Sequence, residues 1–236
     1  MRQDAVATRA RLIAAAETLF AERGIDGVSM NEVQRAAGQR NKSALQYHFG
    51  TKEQLLEAIL DKHVPGIELR RHRWLDEIEV SGRYEIRELM KALVVPVFEK
   101  LDDPDGGRAY ITIQAQIIGG PSTLERWSTS IRDNRGVSRL MRMLERVCPE
   151  LPLPVRRARY LLVTELLFHG IADFGRLSTL EPPLFPPSSR DLFLSNLVDV
   201  LTALATASVS AETTSLLPSA PRGEAAFTPA GTTSKP

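Results

Sequence analysis

Between Glu32 and Glu53 the sequence carries no carboxylate, while Arg35, Arg40, Lys42 and Lys52 fall inside that window with His48 among them. The same stretch holds Asn41, Gln46 and Tyr47, whose amide and hydroxyl groups, with the Lys42 ammonium, are of the kind that meet base edges and phosphates. A local basic surface is what phosphate contact needs, even where the net charge of the whole chain is only +1. On these residues alone two readings stay open: a nucleic-acid surface, or the solvated polar turn of a helical protein. Catalytic patterns are missing elsewhere. There is no Gly-rich phosphate loop and no Ser or Cys with a positioned base, and His63 and His72 do not share a helix face. The residues therefore point away from an enzyme and imply no cofactor and no metal.

Such groups need elements to hold them, and the periodicity is helical almost throughout. Leu12, Ala16, Leu19 and Phe20 repeat at helical spacing until Gly24. Ser29 with Glu32 forms a capping box that opens a second helix, in which Met30, Val33 and Ala37 share a face up to Gly38. Thr51 with Gln54 repeats the box and opens a helix carrying Leu55, Leu56, Ile59 and Leu60 to a break at Val64-Pro65. Between them lies a short helix with Leu45 and Phe49 inward and Asn41, Lys42, Gln46 and Tyr47 outward. The pair forms a helix-turn-helix, narrow enough for the major groove.

Residues 8–60 resemble the N-terminal DNA-binding domain of the TetR family of bacterial transcriptional regulators. The resemblance rests on Phe20 near the end of the first helix, the approach from Gly24 to Ser29, Ala37-Gly38 at the turn, and the run LQYHFGTK from Leu45 to Lys52. It implies that Ser29, Tyr47, His48 and Lys52 contact phosphates and set affinity and register. It also implies that Arg40, Asn41, Lys42 and Gln46 face the bases and set sequence preference. This chain departs from the family pattern in the turn: there is one residue more between Gly38 and the aromatic run, and Gln39-Arg40 replace the usual apolar residue. Gln46 also stands where the family's first tyrosine sits.

The chain has 236 residues, 43% of them hydrophobic, enough for an all-α protein with a small DNA-binding domain and a larger helical one. The expected division is 1–50 for the helix-turn-helix domain, 51–63 for a linking helix, 64–207 for a helical effector-binding and dimerisation domain, and 208–236 for a disordered tail rich in Ser, Thr, Pro, Ala and Gly. Breakers divide the larger domain into helices expected at Val64 to Val80, Tyr84 to Leu101, Arg108 to Ile118, Thr123 to Arg132, Val137 to Val147, Val155 to Leu177 and Arg190 to Thr206. A single cysteine, Cys148, excludes an intramolecular disulfide framework. No export signal is visible, and the longest apolar run, Tyr160 to Phe174, is broken by Glu165, His169 and Asp173. A cytoplasmic protein is expected.

The last two helices carry apolar faces wider than a monomer core requires, which suits a homodimer. The resemblance implies a four-helix bundle between subunits and two recognition helices set on palindromic double-stranded DNA. It further implies a small-molecule effector in the larger domain, bound among apolar walls, whose arrival releases the DNA and relieves repression. Gln114, Gln116, Trp127, Phe168 and His169 are candidates for that site, being large or polar residues in apolar runs. The alternative is a helical protein-interaction adaptor without sequence-specific DNA binding.

Overall fold

A computed structural model describes residues 2–39, 44–119 and 135–218. The first helix, α1 (Arg2–Arg23), buries Leu12, Ile13, Ala16 and Phe20 along one side, and Gly24 stops it at φ +83°. Then come α2 (Met30–Ala36), α3 (Ala44–Phe49) and the long α4 (Lys52–Ser81). Both expected capping boxes are present: Ser29 and Glu32 close reciprocally on α2, and Thr51 and Gln54 on α4.

The Val64-Pro65 break is not there. α4 runs for 30 residues straight through Pro65. A proline inside a helix removes one backbone donor and crowds the turn before it, at a cost of about 3 kcal/mol in an unsupported helix. Here Ile59, His63, Ile67, Arg71 and Leu75 form an unbroken buried stripe at intervals of four, while Pro65 faces solvent. The packing of that stripe overrides the local signal.

Beyond α4 follow α5 (Ile86–Phe98) with a 3-10 turn at Glu99–Asp102, α6 (Gly107–Gly119), α7 (Arg135–Val147), α8 (Leu153–Leu177), a 3-10 turn at Pro187–Ser189, and α9 (Arg190–Thr206). These agree with the expected helices to within about two residues at most ends, the latitude normal for helix boundaries. The expected helix at Thr123 to Arg132 lies outside the described residues. No helix among the described residues is long and apolar enough to cross a membrane.

Met1–Thr206 forms one unit and Ala207–Pro236 another. Within the second, where the composition predicts disorder, Ser210 caps a short helix, α10 (Ala211–Ser215); residues 219–236 lie outside the described ones.

Two apolar cores organise the first unit. The smaller gathers Leu12, Phe20, Val28, Val33, Phe49, Leu55 and Ile59 from α1 to α4, together with Ile113 from α6. The larger surrounds α5 and includes stacked rings of Phe174 and Phe193, 4.2 Å apart, with Phe98 at 5.6 Å from Phe174.

A buried polar knot ties α4, α5 and α7 together. Pro96 lies inside α5, so the carbonyl of Ala92, four residues earlier, has no helical donor. Arg71 supplies one, its Nε donating to Ala92 O at 3.3 Å. The same guanidinium pairs with Glu68, whose other oxygen accepts from the Gly136 N–H at 2.6 Å, an otherwise orphan donor at the start of α7.

Candidate nucleic-acid interface

α3 is positioned by the turns on either side of it. After α2 the Gly38 N–H donates to Arg35 O at 3.0 Å and the Gln39 N–H to Gln34 O at 3.1 Å, with Gly38 at φ +67°. This is the Schellman arrangement, which needs a left-handed residue and is why a glycine stands there. At the far end Gly50, at φ +66°, stops α3, and Thr51 caps α4. Phe49, 5% exposed, anchors α3 in the smaller core beneath the guanidinium of Arg9, 5.2 Å from the ring centroid. Two residues earlier Tyr47 is 82% exposed, and the half-buried His48 ring meets it edge-on at 5.2 Å. One six-residue helix therefore holds on to the core with Phe49 and projects a hydroxyl outward with Tyr47.

Ser29 is exposed at the N-terminus of α2, where its hydroxyl donates to Glu32 Oε2 at 2.7 Å and also accepts from the Glu32 N–H. Glu32 in turn accepts from the Ser29 N–H at 2.8 Å and pairs with Arg23 at 2.7 Å. Those partners, the Ser29 backbone donor first, then its hydroxyl and Arg23, pull the Glu32 carboxyl from 4.5 down to about 2. Lys52, half-buried, donates to the carbonyl of Ile25 at 2.9 Å. It therefore staples the first turn of α4 to the loop between α1 and α2, a role that the motif alone does not reveal. Ser29 thus stands at the start of α2, Tyr47 and His48 within α3, and Lys52 at the start of α4. Arg40, Asn41 and Lys42 lie outside the described residues, as do the side chains of Leu45 and Gln46.

Residues 12–59 match the profile of bacterial regulatory proteins of the tetR family, and residues 91–203 match that of the tetracyclin repressor-like C-terminal domain. The chain belongs to the TetR family. Over 102 residues it is 31% identical to the HTH-type transcriptional regulator TtgR of Pseudomonas putida, a match covering 42% of this chain and 45% of that relative. The match thus spans just under half the length of the curated relative.

The first match covers most of α1, α2, α3 and the first turns of α4, and the second runs from α5 into α9. Four of the five residues expected to bind an effector are among the described ones. Gln114 Nε2 donates to the Tyr110 hydroxyl at 2.9 Å, and Phe168 packs on the larger core. His169 is exposed, with Nε2 at 3.3 Å from Glu165. Gln116 faces α1 and bonds to the backbone of Phe20 and Ile25. Trp127 lies outside the described residues. A cavity of about 50 Å³ instead opens between α5, α7 and α8, walled by Met90, Leu93, Leu140, Leu144, Cys148 and Val163, and none of Gln114, Gln116, Phe168 and His169 lines it. Burial pushes the Cys148 thiol up, so that wall stays uncharged.

A polar group that no local sequence pattern marks joins α1 to α4. Glu17 of α1 is 2% exposed and meets His63 and Lys62 of α4. The available signal was a carboxylate set within the buried stripe of α1, between Ala16 and Phe20.

Proposed function

We propose that this TetR-family protein is a ligand-responsive repressor that binds a palindromic operator as a homodimer and is released by a small, apolar effector. It acts in the bacterial cytoplasm and performs no catalysis. The observation that carries the reading is the division of labour within α3, where Phe49 is buried and Tyr47, two residues away, stands clear of the fold. An exposed aromatic hydroxyl beside a half-buried histidine, flanked by the Ser29 and Lys52 helix starts, is suited to grip phosphates on both sides of a major groove.

Dimerisation is supported by the outer surfaces of the last two long helices. Leu162, Leu166 and Leu161 on α8 and Leu192 and Val200 on α9 are exposed, Leu162 by 54% and Leu192 by 72%. Grouped apolar side chains of this size in water favour association with a like surface. Two-fold pairing would place two recognition helices on half-sites about one helical turn apart and multiply the weak grip of each. Release follows if the effector favours a conformation whose half-site spacing no longer fits DNA, with affinity falling by that differential preference.

Selection of bound duplexes from a random library tests the proposal. The wild type enriches an inverted repeat; Asn41→Ala changes the enriched sequence; Lys52→Ala weakens all duplexes alike and lowers the salt slope by about one. A denaturation curve on Lys52→Ala separates lost phosphate contact from the lost bond to Ile25. Failure to enrich any sequence at low and moderate salt would refute specific operator binding.

A further inference from the structure

Arg9 of α1 carries a charge that the fold holds in place but does not neutralise. Its guanidinium lies over the ring of Phe49, 5.2 Å from the centroid, and the side chain is exposed. Among the described residues no carboxylate, carbonyl or hydroxyl accepts from it. Arg11, two positions on, is engaged, its Nη2 donating to Thr8 Oγ1 at 3.2 Å. Ile13, one turn on from Arg9, is buried in the smaller core with Phe49, so Arg9 stands at the rim of that core, where α1 meets the last residue of α3.

A cation over an aromatic ring is attracted through the ring's face. For a guanidinium such a contact uses one side of its plane and leaves the N–H donors around the edge, in a fork that matches phosphate oxygens. The Phe49 ring thus restrains the group without consuming its donors, which lowers the cost of ordering it when an anion arrives. The neighbourhood favours an anion from outside the protein, because α3 and the turns beside it lie in the stretch between Glu32 and Glu53 that holds no carboxylate. The His48 ring lies 6.1 Å from that of Phe49 and meets Tyr47 edge-on. Arg9, Phe49, His48 and Tyr47 therefore form one continuous chain, with the guanidinium at one end and the exposed phenol at the other.

We infer that Arg9 grips a DNA phosphate, so that α1 as well as α3 belongs to the nucleic-acid interface, and that Phe49 both anchors α3 and sets the guanidinium in place. The inference rests on the DNA-binding reading above and extends its contact surface to α1. A phosphate contact carries no sequence information of its own, so Arg9 contributes affinity and register and leaves base preference unchanged.

Fluorescence anisotropy of the full-length protein over a salt series tests this with two labelled duplexes, the selected operator and one of mixed sequence. Arg9→Met keeps an unbranched stem on Phe49 and removes the charge. Both duplexes then bind about tenfold more weakly at roughly 0.1 M salt, the weight of one charge-assisted hydrogen bond, and the slope of log affinity against log salt falls by about 0.9. Arg9→Lys restores the slope but only part of the affinity, since the charge returns without the fork. Arg11→Met removes a charge on nearly the opposite side of α1 and leaves the slope as it was. Urea denaturation verifies that each variant is folded. An unchanged slope in folded Arg9→Met would assign Arg9 to packing alone, and an equal fall in Arg11→Met would assign the effect to overall charge; either overturns the inference. The expected losses on the mixed duplex, in a protein that selects no operator, would uphold the phosphate grip and refute the operator reading instead. A wild type that binds neither duplex at any salt overturns both.

Discussion

Gln116 of α6 donates from Nε2 to the carbonyl of Phe20 at 2.9 Å, and its Oε1 accepts from the N–H of Ile25 at the same distance. One amide side chain thus satisfies a backbone acceptor at the end of α1 and a donor in the loop that leads to α2. Ile113, one turn earlier on α6, is fully buried in the same small core. α6 therefore grips the end of α1 and the loop after it through backbone atoms. Replacing Gln116 with Leu leaves the Ile25 N–H without its acceptor, whereas the Phe20 carbonyl keeps the Gly24 N–H at 3.0 Å. The expected loss of stability is about 1–3 kcal/mol, measured by urea denaturation, with faster hydrogen exchange at the Ile25 amide. Unchanged exchange at Ile25 would mean that the clamp is not formed in solution.

Glu17 links α1 to α4. Its Oε1 lies 2.7 Å from His63 Nε2 and its Oε2 accepts from Lys62 Nζ at 2.8 Å, while Lys62 also reaches Asp105 at 2.8 Å. Gly106, at φ +82°, passes so close over the carboxylate that any Cβ there would strike it. His63 is 1% exposed, and its ring lies against that of Tyr110, tilted, with centroids 4.7 Å apart. Removing Glu17 strands the buried His63 Nε2 while Lys62 keeps Asp105, so Glu17→Ala is expected to cost about 1–3 kcal/mol. Glu17→Gln keeps the shape and one acceptor oxygen and should cost less. Denaturant midpoints decide this, and equal midpoints for the two variants would show that the retained shape and acceptor oxygen carry none of the effect.

The capping box of α2 has a pH dependence of definite sign. The carboxyl of Glu32, drawn from 4.5 to about 2 by Ser29 and Arg23, binds its proton more weakly in the folded chain than in the unfolded one. Its contribution to stability is therefore fully present above pH 4.5 and is lost as pH falls toward about 2. The difference in denaturation midpoint between the wild type and Glu32→Gln should be constant at neutral pH and close across that window. A carboxyl titration by NMR gives the direct check, and a midpoint near 4.5 would exclude the bonded geometry.

Those three sites differ in how far the sequence reveals them, and the reason is the range of the interaction. Ser29 with Glu32 and Thr51 with Gln54 are separated by three positions, so capping chemistry announces both helix starts, and the Arg190–Thr206 helix is equally plain from its apolar spacing and proline-rich approach. Gln116 stands out as a polar residue in an apolar helix, but its partners lie 91 and 96 positions away, and nothing local distinguishes a backbone clamp from a ligand contact. The cavity is assembled from three helices and the end of a fourth, so no single segment carries its signature. Lys52 is marked by its motif as a phosphate contact, yet its bond to Ile25 emerges only in three dimensions.

The Val64-Pro65 step gives α4 the look of two helices in sequence, and Pro65 with Gly66 beside it offers a final test of how packing prevails over local preference. Both are exposed in the middle of α4, and a Cβ built on Gly66 meets nothing within 4 Å. Its φ is not in the left-handed region, so alanine fits the existing backbone without strain. Glycine costs a helix interior about 0.5–1 kcal/mol relative to alanine, chiefly through the greater freedom of the unfolded chain. Gly66→Ala should therefore stabilise the protein by about that amount, read as a higher urea midpoint with an unchanged slope. Because the substituted face touches no other element, the gain should leave the Glu17 and Gln116 links intact. A loss of stability would mean that α4 bends at Pro65-Gly66 in solution, and the continuous stripe from Ile59 to Leu75 would then be two shorter ones.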